Sequence, residues 1–538
     1  MKERLVFDVM TDENGFAAVP FCLVGQNDAV IILDWNDEDG KEERLTADNA
    51  LGGNGCIHRY ADAKTWHRIE LDSPDWSKVY ICGIFSSSSE AEKNLPMMSF
   101  ASIAMRCRWR LKSPLPSLAG TAVMNVDGQI PPFEWTPEFR CGTMDYAFTL
   151  MKDIGEIPMD VFACRKWRSF RGTFSGCRFE SSVPAGLFRG QDEAESFDAC
   201  FARCSFFREN PVPSRLFSDC SKARSMKAVF GSSDIAFLPD ELFYGCSSVK
   251  EYAFAFANTN IAILPQERMF QYSPDAEDFS GCFSGCTSLQ IAPSGIFAGT
   301  KAKTVYRCFA DCTSLDTIGC IFSGCSSIES FEACFIGCTK LNGVPSDLFG
   351  GNRDAVNFAD CFAGCTRLIY VNAGLTADLG KAETMAGMFR SCRSIKNIPE
   401  GMFSGCSSVK TFAGVFSDCI SLECVEDNVF RKCDSVLSFR SAFAKCSNLR
   451  RLPVNVFAWS PKARDFACCF DGCASLKDAD IRIESGCVEN AESFFTYNPS
   501  WESRGRKLAV HVPADTKTAK HFMGLAFGND WSVMKFHG

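Results

Sequence analysis

Histidine is scarce in this sequence, with 5 in 538 residues. His58, His67, His511, His521 and His537 all stand in the flanks, and none falls between 129 and 490. The long middle of the chain therefore lacks the commonest general base and a frequent zinc ligand. A Gly-x-Ser-x-Gly nucleophile elbow is missing, and so is a Gly-x-x-x-x-Gly-Lys-Ser/Thr phosphate loop. No apolar run reaches the roughly 18 residues of a membrane span, so membrane insertion is not expected. Basic residues are the minority: 56 Lys and Arg stand against 65 Asp and Glu, giving a net charge of −9. An acidic total argues against nucleic acid as a partner. After Met1–Met10 no apolar stretch of signal-peptide length follows. The expectation is synthesis and folding in a reducing cytoplasm, with the 31 cysteines as thiols.

Two residue types are in excess. There are 49 Phe against 9 Tyr, and cysteine is equally out of proportion. Such a bias arises when one structural slot is filled repeatedly, which points to internal repeats. Phe148, Phe174, Phe201, Phe230, Phe256, Phe283, Phe309, Phe335, Phe362, Phe389, Phe416, Phe443 and Phe470 form one series. Phe162, Phe188, Phe217, Phe243, Phe270, Phe297, Phe322, Phe349, Phe403, Phe430 and Phe457 form a second, with Leu375 in the missing slot. Spacings run from 25 to 29, mostly 26 or 27. Prolines such as Pro345, Pro399 and Pro453 keep the same period. The array covers residues 129–490 in about 13 copies.

Residues 331–355 show one copy clearly. Phe331 and Phe335 are four apart, as are Cys334 and Cys338, which predicts a short helical turn with each pair on one face. Leu341 to Pro345 reads as an extended run. A unit this short cannot bury its own apolar face and must stack on copies of itself. The fold expected is an α/β repeat, an elongated solenoid in the manner of leucine-rich repeats. Its Phe residues should stack in one internal ladder, and Cys286, Cys312, Cys338, Cys365, Cys392, Cys419, Cys446 and Cys473 in another. Thirteen coils at a strand spacing of about 4.8 Å would span about 60 Å.

The runs Met385-Ala-Gly-Met388-Phe389-Arg-Ser-Cys392 and Cys361-Phe-Ala-Gly-Cys365-Thr-Arg-Leu368 resemble the BspA-like leucine-rich repeats, the 26-residue repeat of bacterial surface proteins. The resemblance covers about two-thirds of the chain. It implies non-enzymatic binding to cells or extracellular ligands. Surface members of that family carry an export signal, which is not seen here. Similar arrays also resemble tail-associated and receptor-binding proteins of bacteriophages, which need none. The run Val510-His-Val-Pro-Ala-Asp-Thr-Lys-Thr-Ala-Lys-His-Phe522 resembles the strand, helix and strand that close such arrays.

Residues 1–95 leave the period and resemble a small β-sandwich, serving as an attachment module or as a cap for the first coil. Residues 96–128 read as an irregular junction or degenerate first coil. Residues 491–538 should form a C-terminal cap. Cysteine pairs such as Cys334/Cys338 and Cys361/Cys365 have a spacing set by the repeat and no accompanying histidine, so they are read as buried structural thiols, with no metal or cofactor. The acidic stretch 34–43 fails the calcium-loop pattern and reads as a hairpin turn. Two basic-aromatic clusters are the candidate binding patch: Arg106, Arg108, Trp109 and Arg110, and Arg165, Lys166, Trp167 and Arg168. Arginine beside tryptophan can hold an anionic or polar ligand by charge and stacking, while long Arg stems also simply cover apolar surface. The functional expectation is a virion or tail protein recognising a protein or glycan on a bacterial surface, and contacting other virion proteins through residues 1–95. The alternatives are a cell-surface adhesin and a carbohydrate-active enzyme, with homo-oligomerisation left open.

Overall fold

The computed structural model describes residues 4–11, 14–18, 22–25, 30–36, 42–46, 57–74, 79–82, 108–111, 143–145, 148–149, 154–155, 157, 161–162, 166–206, 212–265, 269–476, 478–495, 507–526 and 531–536. The chain divides into two compact units, Met1–Val249 and Lys250–Gly538.

The first unit opens with nine strands: β1 (Arg4–Met10), β2 (Phe16–Ala18), β3 (Cys22–Gly25), β4 (Val30–Asp34), β5 (Glu42–Thr46), β6 (Ile57–Arg59), β7 (Trp66–Asp72), β8 (Val79–Cys82) and β9 (Arg108–Leu111). Five of them make one antiparallel sheet in the order β5-β4-β7-β1-β9, while β2–β6 and β3–β8 form separate antiparallel pairs. In β7 the chain alternates: Ile69 and Leu71 are buried, whereas Arg68 is exposed and Glu70 half-buried. That period of two puts one face of the strand on a core shared with Val9 and Leu33. β4 and β5 pair antiparallel, and residues 37–41 of the acidic stretch read as a turn lie outside the described residues. β9 lies beyond the expected boundary at residue 95. It pairs with β1, and the rest of the stretch 96–128 lies outside the described residues. Only four residues long, and carrying Arg at two of them, β9 has too little apolar pattern to be seen in the sequence.

The described residues of the first unit from Thr143 onward are stacked coil. Phe148, Phe174, Phe201 and Phe230 lie face to face with ring centroids 5.3–5.4 Å apart. Phe162, Phe188, Phe217 and Phe243 stack alongside at 5.5–6.1 Å.

The second unit contains nine coils among the described residues, opened by Tyr252, Phe279, Val305, Phe331, Phe358, Met385, Phe412, Phe439 and Phe466. The expected helical turn is absent from them. From 331 to 338 the backbone alternates instead. The amides of Phe331, Ala333, Phe335 and Gly337 donate to Asn357, Ala359, Cys361 and Ala363 of the next coil, each at 2.8 Å. Those of Cys334, Ile336 and Cys338 donate to carbonyls three residues back at 3.1–3.2 Å. Ala333 and Gly337 have φ of 52° and 74°. Positive φ at the third residue of every second turn lets the turns run on in series. One left-handed residue recurs every four, so apolar side chains also recur every four. That spacing mimics a helix, although no i→i+4 ladder forms.

Short parallel ladders join coil to coil: β10 (Ile291–Ala292) with β11 (Thr317–Ile318), and β12 (Asn397–Ile398) with β13 (Cys424–Val425). Leu375 occupies its phenylalanine slot within a 3-10 helix, Ala373–Thr376. The unit ends in a parallel sheet of β14 (Asp478–Arg482), β15 (Lys507–Pro513) and β16 (Trp531–Phe536), with helix α1 (Lys517–Ala526) connecting the last two. Phe522 of α1 meets Phe494 edge-on at 5.2 Å. The Thr518 hydroxyl accepts the Val488 N–H at 2.9 Å, and His521 Nε2 accepts that of Ala491 at 3.1 Å. In the preceding coil the amide equivalent to Ala491, that of Phe466, bonds onward to Asn490. Here a helix side chain takes the place of the next carbonyl.

Candidate functional site

The two expected ladders are inward-facing. All thirteen phenylalanines of the first series are buried. In the second unit those from Phe256 to Phe470 stack at 5.3–5.7 Å. The cysteines do more than fill space. Cys286, Cys312, Cys338, Cys365, Cys392, Cys419, Cys446 and Cys473 each donate S–H to the phenylalanine carbonyl of the preceding coil, Phe256 through Phe443, at 3.1–3.2 Å. Where a hydroxyl replaces the thiol, as at Ser233 and Thr259, it donates to the carbonyl three residues back in its own coil. Burial disfavours the thiolate, pushing Cys286 up to about 11 and Cys419 and Cys473 to about 12. Thiols held this way are neither nucleophiles nor ready metal ligands. Among the described residues no group of three or more His, Cys, Asp or Glu could hold a metal ion. Nor is any described helix long and apolar enough to cross a membrane.

The basic-aromatic clusters come apart. Arg106 and Arg165 lie outside the described residues. Arg108, Trp109 and Arg110 belong to β9, in register with Met10, Val9 and Asp8 of β1. Trp167 is fully buried, with Gln191 Oε1 accepting its backbone N–H at 3.0 Å. Lys166 is ion-paired to Asp192, and its hydrogen bond holds that carboxyl below the usual range. Arg168 is exposed but heads a column of alternating sign with Glu195 and Arg224, joined by N–H···O bonds of 2.7 and 2.8 Å. The described part of this cluster therefore presents no tryptophan, and Lys166 and Arg168 have acidic neighbours in the adjacent coil. In the linear sequence, nothing distinguishes a core tryptophan between basic residues from a displayed one.

Three surface columns were not anticipated. Asp278, Thr304, Ser330, Asn357, Thr384, Thr411, Ser438 and Asp465 stand in register as successive parallel bridges. Their side chains accept the N–H two residues on, from Ser280 at 2.8 Å to Ala413 at 3.1 Å and Glu332 at 3.3 Å. The next coil and the turn both leave this amide unsatisfied. Short polar side chains serve it as Asx- and ST-type caps. The periodic Ser/Thr/Asn/Asp ahead of each coil was a readable signal for them. Beside it runs a column of charges of both signs, interrupted by the exposed Val356 and Leu437 and including Lys303 paired to Glu277 at 2.8 Å and Lys410 to Glu383 at 2.7 Å. Exposed pairs of this kind contribute little stability but leave the face electrically neutral.

The third column lies on the parallel ladders. Ile263, Ile291, Thr317, Gly343, Tyr370, Asn397, Cys424 and Arg451 occupy equivalent positions in successive coils, with bridges such as Ile263↔Ile291, Gly343↔Tyr370 and Cys424↔Arg451. No residue type dominates it. Core columns repeat Phe and Cys, while this one changes at nearly every coil. It carries exposed apolar groups at Ile263, Ile291 and Tyr370, with Ile369 exposed beside Tyr370.

No family profile matches this sequence, and no curated protein matches it. Among solved structures, that of the TLR13–ssRNA13 complex is similar over 72% of this chain and 53% of that one, at 13% identity and a TM-score of 0.26. This chain thus spans about half of that protein's length, and its assignment as a solenoid of stacked coils rests on its own inter-coil hydrogen bonds.

Proposed function

We propose that this chain is a non-enzymatic recognition and structural protein, a component of a phage tail or virion surface that binds a protein or glycan receptor on a bacterium. The observation carrying the proposal is the contrast between a constant core and a varied column that is exposed at most of its positions, Cys424 being buried. Repetition inside holds the backbone rigid, and variation outside gives each coil its own contact, so affinity accumulates over several coils. The thiols support assembly in a reducing compartment. Every cysteine from Cys177 to Cys487 is free, and the ladder members act as S–H donors, a role a disulfide would abolish. Residues 1–95 would serve as the attachment module toward other virion proteins. The repeat also resembles that of BspA-like adhesins, which makes a bacterial surface the competing location.

Immunogold electron microscopy of the source material, with antibodies raised against residues 129–490, tests the reading. Label on virions or tails is the expected result. Label on a bacterial envelope overturns the virion assignment in favour of an adhesin.

A further inference from the structure

The coil running from Phe358 to Thr384 departs from its neighbours in three ways. Asn372 stands where other coils carry proline, Leu375 replaces phenylalanine, and a 3-10 helix forms over Ala373–Thr376. These departures converge on Tyr370, which is 60% exposed. Asn372 has both ends of its amide engaged. Its Oδ1 accepts the Gly374 N–H at 2.8 Å, capping the short helix, and its Nδ2 donates to the Tyr370 hydroxyl at 3.2 Å. An exposed tyrosine is usually free to sample rotamers. Here the cap fixes its hydroxyl and therefore its ring.

The surroundings of the ring are open and polar. Gly343, bridged to Tyr370 in the preceding coil, would have nothing within 4 Å of an added Cβ. Asn342 lies beside Gly343, and its carbonyl accepts the Ile369 N–H at 3.2 Å. Asn397 holds the position of Tyr370 in the next coil. Both asparagines are exposed. Neither amide has a hydrogen-bond partner within the chain, among the described residues.

From this arrangement we infer that Tyr370 is a stacking platform for a pyranose ring of a bacterial surface glycan, with the amides of Asn342 and Asn397 addressing its hydroxyls. An aromatic ring of fixed orientation offers an apolar face to the C–H side of a sugar while its tip stays polar. Primary amides both donate and accept, as vicinal hydroxyls require. Gly343 leaves the space in which the sugar sits. Pre-organisation by Asn372 removes part of the ordering cost of binding. Asn372 is thus a positioning residue. The inference deepens the recognition reading and rests on it.

The test uses the full-length protein on an array of purified bacterial polysaccharides built from hexopyranoses, in parallel with sedimentation on intact bacteria. Wild type is expected to bind at least one polysaccharide. Tyr370→Ala should weaken that binding at least tenfold, and Gly343→Gln comparably, with thermal melting unchanged in both. Tyr370→Phe and Asn372→Ala should each give a smaller loss, since the ring remains but its anchor is gone. Unchanged binding by both Tyr370→Ala and Gly343→Gln overturns the inference. So does wild type that sediments with bacteria but binds no polysaccharide, an outcome that leaves recognition standing. Wild type that binds neither bacteria nor polysaccharide overturns the recognition reading and this inference with it.

Discussion

Phe335 touches the two coils beside its own, its ring stacked 5.5 Å from Phe309 and 5.3 Å from Phe362. The ladder phenylalanines from Phe283 to Phe443 are each held this way, so truncating one opens a cavity that its neighbours cannot close without moving the coils. Phe335→Ala is expected to cost about 3–5 kcal/mol, measured as a shift in the urea unfolding transition. A loss below about 1 kcal/mol, the size expected of a site without a cavity, would show that the ladder is not the core. At this scale the sequence was legible where a residue repeats. Phe335 and Cys338 declare themselves by period. Trp167 does not repeat, and proximity to arginines suggested display when the side chain is in fact buried. In or out is decided by the turn geometry around a residue, which one sequence position does not carry.

A coil is an alternation of amides that stay and amides that leave. The turn residues, the left-handed positions and the Ser/Thr/Asn/Asp cap all serve that alternation. Thr411 caps the Ala413 N–H at 3.1 Å. Replacing it with the isosteric valine removes the acceptor and keeps the volume. Thr411→Val is expected to lower stability by about 1 kcal/mol, read from the chemical denaturation midpoint, with unchanged circular dichroism at rest. An unaltered midpoint would mean that water satisfies that amide equally well. The helical turn expected from Phe331 and Phe335 failed here for a definable reason. A spacing of four fits both a helix face and a series of turns with one left-handed residue in four, and side-chain period alone does not separate them. Positive φ at Ala333 resolves the two, and alanine gives no hint of it in the sequence.

Over each whole unit the thiols make a collective prediction. A buried thiol has a folded pKa above its unfolded value of about 8.5. Cys286 at about 11 and Cys419 at about 12 are of this kind. Their contribution to stability is complete below the unfolded value. It is lost as pH rises from there through the folded values, because the unfolded chain ionises first. Stability should therefore be level near neutrality and fall steeply above about pH 9, with many cysteines acting together. Urea midpoints taken from pH 7 to 10 would show it. A flat profile to pH 10 would mean that the thiols are not protected by the fold.

The sequence by itself determined the repeat period, the identity of the ladder residues and the need for coils to stack. These follow from composition and spacing, since a unit of this length has no other way to bury so much phenylalanine. Tertiary structure alone decided which side chains face outward and which chain segments share a sheet. It also decided that thiols bond to carbonyls one coil back, and that Asn372 steadies Tyr370. The first three depend on hydrogen bonds between residues about one coil or more apart, which no local pattern of residues encodes. The last is made by contacts two residues apart around a 3-10 turn, in a coil where the repeat itself breaks.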